Sequence, residues 1–67
     1  MKDRTELLAR RRLLHTNQTM IARDLRAIPF YDQESRLALM LKKQRGGNAR
    51  EIAQINSALR ALEQWRV

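Results

Sequence analysis

Little in this chain is equipped to make or break bonds. Cysteine is absent, so neither a thiolate nucleophile nor a thiolate metal site can be assembled, and the one histidine, His15, cannot hold zinc alone. Asp24 and Glu63 have no evident partner acid, and Gly46-Gly47 is too short to cradle a phosphate. The expectation is therefore a protein that is not an enzyme, with no catalytic, cofactor-binding or metal-ligating residues and no small-molecule substrate. A solvated helix position explains His15 among its polar neighbours.

The cations carry more. Fourteen Lys and Arg against seven Asp and Glu leave a net charge of +7, which draws a solvated chain to nucleic acid, acidic protein surfaces or anionic lipid without choosing between them. Two clusters stand out, Arg10-Arg11-Arg12 and Lys42-Lys43 with Arg45. Were the segments that carry them antiparallel, these residues and His15 would share one end and form a candidate anion or nucleic-acid patch with salt-sensitive affinity. The competing explanation is local, since Lys42, Lys43 and Arg45 would also complement the negative end of a helix closing near residue 45.

The elements that must position these groups are helices. Asp3 with Glu6 forms a capping box, and Leu7, Leu14, Ile21 and Ile28 recur every seven residues, giving a helix over 4–28. Leu13, Met20 and Ala27 run beside that stripe and are expected to widen the buried face. Residues 15–19 are weak helix formers, with Thr16 or Asn17 available as an internal cap, which leaves open one helix or two. Pro29 closes the segment because it cannot donate a helical hydrogen bond and restricts Ile28. Phe30 and Tyr31 are expected to plug the end of a bundle. Asp32 then caps a helix over 33–45 with Leu37, Met40, Leu41 and Gln44 on one face and Leu39 on the other.

Arg45-Gly46-Gly47-Asn48 combines two glycines suited to a helix stop with Asn48 and Glu51 at capping-box spacing, so a turn and a third helix over 49–66 are predicted. In that helix Ile52, Ile55, Leu59 and Leu62 are spaced three, four, three and are expected to pack the hairpin, with Trp65 beside the stripe. A helix-turn-helix reading of Arg50 to Ala53 fails, because nothing from Ile55 to Trp65 breaks the helix.

The fold class is all-α, a helical hairpin or three-helix bundle with antiparallel neighbours in one small domain, 1–67. So short a chain has a thin core and no disulfide, which makes association the available source of stability. No apolar run reaches the roughly 18 residues of a membrane span and no secretory signal is evident, so a soluble cytoplasmic protein is expected. The leading functional expectation is a protein-interaction module, acting as subunit, adaptor, co-chaperone or inhibitor or as a homo-oligomer, with Leu39 and Trp65 as partner contacts. The alternative is a basic nucleic-acid-binding regulator of the kind carried by phages and mobile elements.

The run Leu41-Lys42-Lys43-Gln44-Arg45-Gly46-Gly47-Asn48-Ala49-Arg50, with the helix after it, resembles the turn between the paired helices of small co-chaperones that guard needle subunits of type III secretion systems. The resemblance implies a cytosolic helical hairpin that binds a second chaperone, the pair keeping the needle subunit unpolymerised. Doubling back at the glycine pair is the premise of the predicted architecture. One unbroken rod over 33–66 would remove the hairpin at the glycines, the merged cationic end and the partner-seeking role argued from them.

Overall fold

In the computed structural model, which describes residues 3–64, two long helices pack side by side as a hairpin. Helix α1 is Arg4–Ala27 and helix α2 is Arg36–Gln64, joined through a 3-10 turn at Phe30–Asp32. The result is a rod 54 Å long and about as thick as two helices, 16 by 15 Å.

Helix α1 begins as its sequence dictates. The Asp3 carboxylate accepts from the Glu6 backbone N–H at 2.8 Å, occupying one of the donors a helix start leaves free. The weak segment at 15–19 does not interrupt it. Thr16 and Thr19 donate their hydroxyls to the carbonyls of Arg12 and His15, both at 3.1 Å, so these side chains lean on the preceding turn and cap nothing.

The reversal occurs at 28–35. Ile28 leaves helical geometry at ψ 125° ahead of Pro29. The Ile28 carbonyl and that of Leu25, which also accepts from the Ile28 N–H at 3.3 Å, are taken up by the Gln33 side-chain amide at 2.9 and 3.3 Å. Ser35 starts α2, its hydroxyl accepting from the Ala38 N–H at 3.3 Å. The cap is thus Ser35, not Asp32, because Asp32 belongs to the 3-10 turn and its carbonyl is held by the Ser35 N–H. Phe30 and Tyr31 do not plug the bundle; they stand out from the turn, 92% and 83% exposed.

The predicted turn at Gly46-Gly47 is absent, and with it the boundary between helices over 33–45 and 49–66. Helix α2 runs through both glycines with no positive φ. The physical reason lies in the packing phase. Leu41, Asn48, Ile55 and Leu62 recur every seven residues, and so do Ala38, Arg45, Ile52 and Leu59, so one seam crosses the glycines without changing register. Asn48 caps nothing; its amide reaches across to Asn17 Oδ1 at 2.7 Å and Gln18 Oε1 at 3.2 Å.

Two apolar clusters flank that polar layer. Toward the open end, Leu7, Leu14 and Ile55 are buried with Ile52, Leu59 and Leu62 against them; toward the turn, Ile21, Leu25 and Ala38 are buried with Ile28 and Leu41. The expected burial of Leu37 and Met40 is off by one position, since Ala38 takes the seam and both are more than half exposed. Leu13, Met20 and Ala27 likewise lie outside the core.

Candidate interaction faces

Taking Leu7, Leu14 and Ile21 as heptad position d in α1, and Ala38 and Leu41 as a and d in α2, gives each helix one register. Antiparallel pairing then sets the e and b positions of both helices on one side of the hairpin and the g and c positions on the other. Cross-helix contacts agree with this assignment. Arg10 and Glu51, both at g, form a bidentate ion pair at 2.6 and 3.1 Å, and Arg11 at a donates to Asn56 at e at 2.8 Å. The hydrogen bonds that Arg10 donates to Glu51, and then the Glu51 charge, raise the pKa of the Arg10 guanidinium.

The two sides differ in chemistry. Met20 at c in α1, with Leu37 at g and Met40 at c in α2, places large exposed side chains on one side near the turn, and Leu13 continues that side toward the middle. A shallow groove lined by Ala27, Ile28, Leu37, Leu41 and Asp24 opens there. Arg10 is the one Lys or Arg at c or g among the described helical residues, and it is paired. Every other helical cation among them falls at a, b, e or f. Of the helical acids, Glu6, Asp24 and Glu51 fall at c or g. The periodicity that carries this segregation is in the sequence, but it emerges only when α2 is read as one helix.

The candidate anion patch is not assembled as expected. The hairpin turns at residues 28–35 and sets Arg45 beside Gln18, whose amide donates to the Arg45 carbonyl at 3.0 Å. Lys42 and Lys43 therefore lie level with residues near 21, and Arg12 lies six residues from Gln18, about 9 Å along the axis at 1.5 Å per residue. Arg10, Arg11 and Lys42 are also engaged, Lys42 donating to the Gln33 carbonyl at 2.9 Å. Arg12, Lys43 and Arg45 are exposed.

Of the expected hairpin residues, Ile55 is buried and Ile52, Leu59 and Leu62 pack on the open-end cluster. Leu39, expected to contact a partner, is 54% exposed and turned from the seam at position b; Trp65 lies outside the described residues. Among the described residues there is no group of three or more His, Cys, Asp or Glu placed to hold a metal, and no helix is long and apolar enough to cross a membrane. No family model matches the sequence, nor does any curated protein or solved structure.

Proposed function

We propose that the hairpin is a small, non-enzymatic interaction module whose apolar c/g side packs against the helices of another protein or of a second copy. One observation carries the reading: Leu13, Met20, Leu37 and Met40, each 57–62% exposed, lie on the side from which unpaired cations are missing. A partner can cover that side without burying a lone cation, and need only supply a donor to the Asp24 carboxylate at the groove; an unpaired buried charge costs several kcal/mol. The thin core adds to the case. Six apolar side chains are buried among the described residues, a small interior for two helices of this length, and covering the c/g side would enlarge it. A hairpin co-chaperone bound to a second chaperone, as the resemblance around residues 41–50 implies, is one arrangement of this kind, although those residues lie within α2 and form no turn.

Sedimentation and circular dichroism of the whole chain at micromolar concentration test the reading together. The expected outcome is an oligomer, or a monomer of reduced helicity that becomes fully helical when its partner is added. Glutamate at both Leu37 and Met40 should abolish either association. A fully helical, thermally stable monomer would overturn the proposal.

A further inference from the structure

The a/b/e/f half of the hairpin is the most strongly charged surface of the molecule, and the interaction reading leaves it unused. Arg36, Lys43 and Arg50 occupy successive f positions of α2, all exposed, at intervals of two turns or about 10.5 Å. Arg60 lies beside that row at position b of α2, and Arg12 and Arg26 hold b positions of α1 on the adjoining e/b side of the hairpin. The only helical acid on this half among the described residues is Glu63. So many like charges along a rigid rod 54 Å long repel one another, and the apolar interior of this chain is poorly provided to oppose them.

We propose that this half is a docking surface for the phosphate backbone of duplex DNA. A straight rod carrying cations along its length matches a linear polyanion, which offers one charge per about 1.7 Å of its axis. Arginine predominates among these cations, and its planar fork binds phosphate oxygens bidentately. Other anionic partners fit less well. Single strands are held largely by stacking on aromatics, and the aromatics described here, Phe30 and Tyr31, sit in the turn and not along the rod. A membrane surface needs a continuous apolar band among the cations, whereas Leu39 and Met40 are the large exposed apolar side chains beside the f row among the described residues, and vesicles of anionic lipid bound as tightly as the duplex would overturn the proposal. Cations spaced along a rod meet phosphates, which carry no sequence information, so binding is expected to be independent of sequence.

The test is fluorescence anisotropy of a labelled 20-base-pair DNA with the full chain, across a salt series. If about six phosphates are neutralised, affinity falls roughly 10³-fold between 50 and 200 mM salt. The triple variant R36E/K43E/R50E, with helicity checked by circular dichroism, should lose at least 100-fold in affinity at low salt and show a shallower salt dependence. A neutral pair at the same positions, Leu37→Gln with Met40→Gln, adds no charge beside Arg36 and Lys43; it should abolish protein association and leave retention of DNA by the monomer in place, so the two readings fail separately. Absence of binding by the wild-type chain at low salt would overturn the proposal. Retention of polyglutamate or of the single strand as tight as that of the duplex would overturn it too.

Discussion

Residues 28–35 and residues 45–48 both contain helix-breaking chemistry, and the chain reverses only at the first. At Pro29 the backbone has no alternative: the ring removes a donor and crowds the preceding turn, at a cost of roughly 3 kcal/mol or more inside a helix. The ending is then consolidated, Gln33 satisfying the carbonyls of Leu25 and Ile28 and Ser35 capping the next helix. At Gly46-Gly47 the backbone is merely permitted to turn. Keeping two glycines helical costs roughly 2 kcal/mol relative to alanine. Turning there would lift Ile52, Ile55 and Leu59 off Leu7 and Leu14, where each fully buried aliphatic side chain contributes about 1.5–3 kcal/mol. Packing wins, and what the comparison teaches is that proline compels whereas glycine only allows.

That contrast can be broken from either side. The largest effect is expected for Gly46→Pro. It removes the helical hydrogen bond donated by residue 46 and should cost about 3 kcal/mol or more in chemical denaturation. A loop at 45–48 would instead tolerate proline with little loss. A smaller effect is expected at the true reversal, where Gln33→Ala leaves the Ile28 carbonyl to water and the Leu25 carbonyl with the Ile28 N–H, and should lower stability by about 1 kcal/mol. No change on that substitution would mean that Pro29 alone holds the turn.

The polar layer between the clusters belongs to the same contrast. Asn17, Gln18 and Asn48 sit beside the glycines, where α2 is intrinsically weakest, and their hydrogen bonds fix which residues of the two helices face each other. Polar groups on an apolar seam commonly trade stability for register in this way. Without them, two short apolar clusters of similar chemistry could slide by a heptad.

Much of the architecture was legible because it rests on local chemistry. Asp3 and Glu6, the d stripe of α1 and the break at Pro29 each follow from neighbours within a few residues, and antiparallel packing follows from a short connection. The continuity of α2 was not legible in the same way, because Gly46-Gly47-Asn48 suits a helix stop and start equally well locally. The signal that resolves it is longer, the sevenfold spacing of Leu41, Asn48, Ile55 and Leu62, and it is masked because one of its members is polar. The error propagated to the site. A helix ending at residue 45 puts Leu37 and Met40 on its apolar face, and a short connection at 29–31 makes the first two segments antiparallel without fixing the register, which sets Arg45 beside Gln18 and not beside Arg12. With one helix, every helical cation among the described residues except the paired Arg10 keeps off the c and g positions along the whole rod.

The central claim is that α2 is a single helix held through its glycines by the seam, and replacing both of them with alanine tests it most directly. Neither position has a neighbour within 4 Å of where a Cβ would stand, and neither has a positive φ, so the added methyls meet nothing. Thermal unfolding of the Gly46→Ala, Gly47→Ala double variant, compared with wild type at equal concentration, is predicted to show a gain of about 1–2 kcal/mol with unchanged or increased helicity. A fall in melting temperature on that double substitution would mean that the chain needs glycine there to bend, and would contradict the account.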